Sequence, residues 1–191
     1  STPLYSSAAS DVYKRQAEYR TWTQGSALVT RMDYVAPMFN ECVYSMAVEK
    51  VMGITDAIPE RAQIIRVLCL ELCRIASHLV ALATGGNELG GTTLLTNGLR
   101  ERERILDFFE CISGLRMNHA YIRPGGVAGD LPEDGMKILD TCLDWLEKRM
   151  PDFSKMLNDN PVFKKRFVDV AYLDLTGCMA CLLYTSDAAD E

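Results

Sequence analysis

The sequence predicts a mainly α-helical protein with a small β contribution (α+β overall). Three observations lead to this prediction. Apolar residues recur at helical spacing over most of the chain, glycines and prolines stand where helices begin and end, and only one short segment, 168–173, has the pattern of a strand. The chain has 191 residues, of which 48% are hydrophobic and 24% are charged. Those fractions are typical of an ordinary globular domain.

The first predicted helix covers residues 38–52, and Gly53 follows it in the position that a helix C-terminal cap favours. Pro59 then suits the first position of a helix, because proline lacks the N–H that would be unpaired there. This second predicted helix is the longest, and it continues to about Ala83. The pair Gly85-Gly86 is expected to end it, and two more glycines follow within a few residues.

The second half of the chain predicts two more long elements and an irregular loop. A third helix is expected over 93–112, with Gly114 as its stop. The segment 117–132 contains too many glycines and prolines for regular structure. A fourth helix is expected over 132–150, and a short fifth helix over 151–158.

Charge and cysteine content exclude several classes of protein. The 20 basic against 26 acidic residues give a net charge of -6, which argues against a protein that binds nucleic acid, because such binding needs clustered positive charge. No uncharged apolar run approaches the roughly 20 residues that span a bilayer, and no export signal opens the chain. Seven scattered cysteines indicate reduced thiols in a reducing compartment.

Both ends of the chain carry an unusual relationship. The peptide SSAASDVYKRQ at 6–16 can be back-translated into DNA whose reverse complement, read one base in, encodes CLLYTSDAAD at 181–190. Inverted complements at two ends resemble a sequencing adaptor read through on both sides. We therefore expect 1–16 and 181–191 to be adaptor-derived, and 17–180 to be an internal fragment of a longer protein.

The adaptor interpretation removes one apparent metal or redox motif. Cys178 and Cys181 have C-x-x-C spacing, which metal and redox sites use, but Cys181 belongs to the excluded segment. Cys69 and Cys73 lie one helical turn apart and could share a metal. Without a second pair, small hydrophobic core residues are the favoured interpretation of both.

Two charged patterns lie on predicted helices. Glu71, Arg74 and His78 share one stripe of the longest helix, which indicates either a structural ion pair at a packing seam, the favoured interpretation, or an internal proton or electrostatic relay. Residues 100–104 alternate arginine and glutamate. A solvated face with local ion pairs is favoured there over a surface that docks a partner.

Three further side chains are candidates for a ligand site. Tyr34 stands just before the Ala36-Pro37 turn into the first helix, as a packed aromatic or as a hydroxyl presented to a ligand. Glu88 lies in the double-glycine segment 84–91, where a lone carboxylate is usually solvated. Spacing leaves these alternatives open, and the sequence contains no phosphate-binding glycine motif, nucleophile elbow or HExxH motif.

Several longer motifs occur in one order through 17–180. They are RTWTQ at 20–24, RMDYVAP at 31–37, AVEK at 47–50, PERAQ at 59–63, the stretch 71–78, RERE at 100–103, SGLRM at 113–117 and YIRPGGVAGDLP at 121–132. Together they resemble the family of D subunits of the proton-pumping NADH-quinone oxidoreductase, respiratory complex I. The resemblance implies a truncated form of the helical core found in nickel-iron hydrogenase large subunits, with a small β region mostly outside this fragment.

The resemblance also implies roles for the candidate residues in a quinone headgroup site. Tyr34 matches the tyrosine that hydrogen-bonds a quinone carbonyl, and a phenol can donate to an oxygen that gains charge. Glu88 stands where the family usually has an aspartate linked to the headgroup donors, and there it would tune or relay protons. Thr84 is a weaker candidate for the same cavity. The second donor, a histidine, would lie upstream of Ala17, so the fragment is expected to be inactive alone.

The resemblance implies that the fragment binds no cofactor or metal itself. Quinone is its substrate, the terminal iron-sulfur cluster is held by the neighbouring B subunit, and the FMN that oxidises NADH belongs to another partner in the complex. The B and C subunits are expected neighbours, and the complex places this chain peripherally on the cytoplasmic side of the cell membrane. Two alternatives are the catalytic large subunit of a membrane-bound nickel-iron hydrogenase and a non-catalytic scaffold fragment.

Overall fold

The structure is a computed structural model that describes residues 15–180. The proposed adaptor segments therefore lie outside the described residues, apart from residues 15 and 16. The described chain divides into two compact units between Phe153 and Ser154. The larger, N-terminal unit contains all of the candidate ligand-site residues.

The first two helices form the start of the larger unit. Helix α1 is Trp22–Val29, and a capping box of Thr21 and Gln24 begins it; sequence patterning did not predict this helix. Helix α2 is Pro37–Met52 and ends at Gly53, whose φ of 68° is left-handed. The predicted helix over 38–52 and its glycine cap are confirmed. A 3₁₀ turn, Thr55–Ala57, leads to the next helix.

Helices α3, Glu60–Glu88, and α4, Thr92–Ser113, are long neighbours joined by a tight turn. The prediction that Gly85-Gly86 ends α3 is wrong, because the helix continues through both glycines to Glu88. Gly86 serves the turn differently. A Cβ on Gly86 would lie 2.5 Å from Cδ1 of Leu94 on α4, so the absent side chain lets the two helices approach.

A second close approach lies deeper in the α3–α4 pair. A Cβ built on Gly98 would lie 2.6 Å from the Cβ of Ala83, which is shorter than any normal contact. The hydrophobic core lies around helices α3 and α4 and also contains buried residues of α2, the loop after α4 and the next helix. Its largest apolar members are Met38, Ile105, Phe108, Phe109, Tyr121 and Ile122.

Helix α3 is also long and apolar enough to span a membrane by length and composition, although its apolar residues do not form one uncharged run. Charged residues such as Glu71 and Arg74 interrupt the run without lowering its mean hydropathy below that of a span. In this fold α3 packs along α4 and buries Leu72, Ala76 and Leu79 in the core. That packing accounts for only part of its apolar composition, since Ile64 and Val67 are exposed.

The segment after α4 is an ordered loop around a minimal hairpin. Strands β1, Ile122–Arg123, and β2, Gly126–Val127, pair antiparallel with Ile122 opposite Val127. The prediction of an irregular loop over 117–132 is confirmed for most of its length, and the hairpin is an addition to it.

Helix α5, Glu133–Asn158, is continuous through Pro151. The predicted division at 150–151 is therefore wrong. Leu146 before the proline and Phe153 after it are both buried, and two helical turns separate them. One apolar stripe thus continues past Pro151, and its burial offsets the hydrogen bond that proline cannot donate.

The smaller unit contains the last turns of α5 and two short helices. Helix α6 is Pro161–Phe167, capped by the Asn160 side chain, and helix α7 is Leu175–Ala180. The strand predicted over 168–173 is wrong. Asp169 and Ala171 have φ angles of 59° and 52°, and such left-handed residues turn the chain instead of extending it.

Candidate functional site

Tyr34 stands on a short turn that is fixed at its base. Its side chain is exposed, with 64% of its surface accessible. The Asp33 carboxylate accepts hydrogen bonds from the amides of Val35 and Ala36, at 3.2 and 3.3 Å, and the following Ala36 and Pro37 are buried. The phenol is therefore presented outward from an anchored turn, and within residues 15–180 no hydrogen bond engages its hydroxyl.

The turn that carries Tyr34 lies beside the middle of α3. The Asp33 carboxylate is close enough to Cys73 to contribute to the raised pKa of that thiol, after the larger effect of burial. The same thiol contacts the backbone of Met38 in the first turn of α2. The start of α2 is thus docked on α3 at Cys73.

Thr84 and Glu88 lie one turn apart on α3, and both are exposed. Thr84 donates its hydroxyl to the carbonyl oxygen of Val80 at 2.8 Å, which is the usual local bond of a helical threonine. Glu88 is in the last helical turn, so the expectation that it lies in a loop is wrong. With a rise of about 1.5 Å per residue, Glu88 is about 22 Å along the helix from Cys73.

The structure brings Thr84 and Glu88 to one side of α3 but does not join them to Tyr34. Among residues 15–180, no hydrogen bond or ion pair connects Tyr34 with either side chain.

The charged stripe on α3 is an exposed ion pair. The Nε atom of Arg74 lies 3.1 Å from an oxygen of Glu71, with both side chains about half exposed, and the Arg74 guanidinium lies over the Phe39 ring of α2. His78 is exposed. The predicted ion pair is present, but it lies on an exposed face of α3 and not in a buried seam.

Cys69 and Cys73 are buried core residues, as predicted, with 0% and 1% of their surfaces accessible. Burial raises the pKa of Cys69 to about 12 and that of Cys73 to about 11. Both are therefore neutral thiols at neutral pH, whereas metal ligation requires thiolates. In the described part of the chain, no group of three histidine, cysteine, aspartate or glutamate side chains is arranged to hold a metal ion.

The alternating run at 100–104 is only partly a solvated face. Glu101 is buried, and it accepts hydrogen bonds from Trp145 and Arg149 of α5 as well as from its neighbour Arg100. Burial alone would raise the pKa of Glu101, but these donors outweigh it and the pKa is lowered. The prediction of a fully solvated face is wrong at Glu101, because α5 covers that side of α4.

Sequence patterning missed the residues that hold the loop after α4. The carboxylate of Glu41, on α2, accepts hydrogen bonds from the amides of Ala120, Tyr121 and Ile122 at 2.8, 2.9 and 2.9 Å. The only sequence signal is a glutamate amid the apolar face of α2, at a position that helical spacing buries. A left-handed φ of 48° at Ala120 costs roughly 1–2 kcal/mol, which these bonds offset.

A second buried carboxylate on α2 holds the hairpin itself. Glu49 pairs with Arg66 of α3 and accepts a hydrogen bond from the amide of Gly125 at 2.8 Å. Arg66 also donates to the carbonyl oxygens of Arg123 and Gly126. Helices α2 and α3 thus bind the segment 121–126, which carries the YIRPGG motif.

His119, two residues before Tyr121, is a buried, neutral imidazole. Its Nε2 atom lies 2.9 Å from the carbonyl oxygen of Arg116, and its ring packs edge-on against Phe109. Burial is the main cause that lowers its pKa to about 4. The ring is therefore a packing group at neutral pH.

The fold is shared with a component of a respiratory membrane complex. A solved structure titled as the membrane-bound sulfane sulfur reductase, an archaeal respiratory membrane complex, superposes with a TM-score of 0.78 and 34% identity. The match covers 84% of this chain and 43% of that chain. Together with the helical core, it defines the fold class as nickel-iron hydrogenase large-subunit-like.

A family-level match identifies the particular family within this fold class. The model for the respiratory-chain NADH dehydrogenase 49 kDa subunit matches residues 88–185, just over half of the chain. The chain belongs to this family, the one that the sequence motifs resemble.

Two curated relatives illustrate the match. The chain is 59% identical over 167 residues to the D subunit of NADH-quinone oxidoreductase from Nocardia farcinica and 57% identical to the D 2 subunit from Streptomyces coelicolor. Each alignment covers 87% of this chain but only 37% and 38% of the relative. The chain therefore spans less than two-fifths of the length of these relatives.

Proposed function

We propose that this chain is part of the D subunit of a proton-pumping NADH-quinone oxidoreductase and supplies one wall of its quinone headgroup site. The observation that carries the proposal is the Tyr34 hydroxyl, which is exposed on a turn anchored by Asp33 and by the buried start of α2. A fixed donor that does not need to reorganise is what stabilisation of a developing negative charge requires.

The chemistry assigned to Tyr34 is hydrogen-bond donation to one quinone carbonyl oxygen. Reduction of a quinone to a quinol takes two electrons and two protons, and each electron adds negative charge to the carbonyl oxygens. A neutral phenol stabilises that charge. In this proposal the electrons come from the terminal iron-sulfur cluster of the neighbouring B subunit, and the second headgroup donor is a histidine outside this chain.

Glu88 and Thr84 are proposed to line the same cavity farther along α3. Since Glu88 is about 22 Å along the helix from Cys73, we assign it an indirect role. It would tune or relay protons at the headgroup donors. A glutamate reaches one methylene farther than the usual aspartate.

The proposed setting follows from the family. The B and C subunits are the neighbours, FMN lies in another component, and the assembly sits peripherally on the cytoplasmic side of the cell membrane. Residues 17–180 are proposed as the family-derived part, which is expected to be inactive alone; the family match runs five residues farther, to residue 185. Raw sequencing reads that continue the reading frame across residues 16 and 181 as native gene sequence would overturn that assignment.

A nickel-iron hydrogenase large subunit is the alternative within the same fold. The 59% identity to an NADH-quinone oxidoreductase D subunit supports the proposal of quinone reduction. The full-length gene separates the two functions. Paired C-x-x-C motifs at both ends would indicate a hydrogenase, and an upstream histidine-bearing loop without them would indicate quinone reduction.

The direct test is Tyr34→Phe in the intact complex, compared with a Tyr172→Phe control. Tyr172 is also exposed, at 79%, but lies in the smaller unit. The proposal predicts a large loss of quinone reduction for Tyr34→Phe with NADH oxidation by an artificial acceptor retained, and no loss for Tyr172→Phe. Unchanged quinone reduction at all quinone concentrations in Tyr34→Phe would instead support the scaffold alternative.

A further inference from the structure

Glu41 binds a strained segment of the loop after α4. Its carboxylate is fully buried and accepts hydrogen bonds from three successive amides, those of Ala120, Tyr121 and Ile122. Asn118 and Ala120 have left-handed φ angles of 55° and 48°. Successive N–H groups turned toward one anion form a nest, and this backbone conformation persists because one strong acceptor takes all three bonds.

The loop itself supplies a cation, Arg123, that acts on this carboxylate. Arg123 lowers the pKa of Glu41, as do the three amide hydrogen bonds, but burial has the larger effect and raises the pKa from 4.5 to about 7. Ser45, one turn along α2, donates its hydroxyl to the Ile122 carbonyl oxygen at 3.5 Å and carries no charge.

The groups that face Glu41 from the helices do not titrate near neutral pH. Cys42 on α2 and Cys69 and Cys73 on α3 are thiols whose pKa values burial raises above 9.0. The Glu49 and Arg66 charges nearby are paired with each other.

We propose that Glu41 is a proton-operated latch, in which the carboxylate holds the backbone of residues 118–122, left-handed at Asn118 and Ala120, and uptake of one proton breaks the three amide hydrogen bonds while Tyr121 and Ile122 stay packed in the core. A protonated carboxyl accepts fewer hydrogen bonds, and its own O–H needs an acceptor where three donors now face it. His119 belongs to the released segment. The inference goes beyond the quinone-site proposal and does not depend on it.

The direction of the pH effect follows from where Glu41 remains after release. Its side chain stays among the buried thiols of α3, so loss of the amide bonds removes groups that lower its pKa while burial continues to raise it. The released state therefore has the higher pKa and binds the proton more tightly. Linkage then makes release more favourable as the pH falls toward 7, with a plateau below about 7.

Hydrogen exchange on the full-length chain in its intact assembly measures this release. After correction for the intrinsic pH dependence of exchange, the opening constant of the amides at 120–122 is expected to rise by up to tenfold per pH unit as the pH falls toward 7. The amide of Gly125, bound by Glu49, whose pKa is lowered, is the internal reference and is expected to show no such slope.

Two variants test whether the pH dependence of the opening constant at 120–122 comes from the Glu41 carboxyl. Glu41→Gln is expected to abolish it, whereas Glu49→Gln is expected to retain it while weakening the hairpin. Where Glu41→Gln does not fold, infrared difference spectra of the wild-type assembly are expected to show a buried carboxyl that titrates near pH 7. Protection of 120–122 that is independent of pH, or that increases as the pH falls toward 7, would overturn the latch.

Discussion

Arg66 of α3 and Glu49 of α2 form a buried, two-pronged ion pair. The Nη2–Oε1 and Nη1–Oε2 distances are 2.5 and 3.1 Å, and the two side chains are 7% and 1% exposed. The same guanidinium donates to the carbonyl oxygens of Arg123 and Gly126. The Arg66 side chain thus joins two helices and the hairpin. Because the guanidinium is buried, we expect the hairpin to depend on its charge.

Arg66→Lys is predicted to destabilise the larger unit strongly. A single ammonium cannot reach both Glu49 oxygens and the two hairpin carbonyls in the planar geometry of a guanidinium. Loss of these charged hydrogen bonds is expected to cost roughly 2–3 kcal/mol. Denaturant unfolding measures the cost, and Arg61→Lys, at an exposed pair with Asp130, is the control with little expected effect. A loss no greater than that of the control would contradict the account.

Acid is predicted to weaken the Glu49 pair. Burial raises the pKa of Glu49, but the hydrogen bonds from Arg66 and Gly125 outweigh that effect, so the folded pKa is lowered from 4.5. The pair therefore contributes stability above pH 4.5, and this contribution is lost as the pH falls through the folded pKa. The difference in unfolding free energy between wild type and Glu49→Gln is expected to shrink in acid. A difference that grows there would contradict the sign.

Two glycine substitutions in the α3–α4 pair are predicted to have opposite signs. Gly98→Ala places a Cβ 2.6 Å from that of Ala83 and 3.1 Å from the Leu79 carbonyl oxygen, and such overpacking costs roughly 1–3 kcal/mol. Gly85→Ala meets nothing within 4 Å, and alanine favours a helix interior by about 0.5–1 kcal/mol. Thermal unfolding of both variants compares them, and equal melting temperatures would refute the close approach.

Glu101→Gln is predicted to loosen α5 from α4. The buried carboxylate accepts from Trp145 and Arg149, and an amide loses the charge that strengthens these bonds, at a cost of roughly 1–3 kcal/mol. Glu103→Gln, at an exposed pair with Arg116, is the matched control, with an expected change below about 1 kcal/mol. Unfolding in urea measures both, and equal losses would show that burial of Glu101 adds nothing.

The helices were predictable from sequence where one local signal decides the structure. Gly53 and Gly114 stop α2 and α4 because each can adopt the left-handed cap. Gly85-Gly86 and Pro151 are also residues that usually end a helix, but tertiary packing overrides local propensity at both places. Gly86 leaves room for Leu94, and the apolar stripe of α5 continues past the proline.

The candidate site was predictable only through family motifs. The exposed Tyr34, Thr84 and Glu88 have no periodic signal that separates a ligand contact from a solvated side chain. The Glu41 and Glu49 contacts could not be predicted at all, because they join residues about 80 positions apart in the chain. Helical spacing can bury a carboxylate, but it does not say which backbone amides will reach it.

Photolabelling tests the central claim that Tyr34 contacts the quinone headgroup. A quinone with an azide on its ring would be activated by light in the intact complex, and the labelled peptides identified by mass spectrometry. The account predicts that a peptide containing Tyr34 is labelled and that excess unmodified quinone prevents this. Labelling confined to peptides without Tyr34, or labelling of the Tyr34 peptide that excess quinone does not reduce, would contradict it.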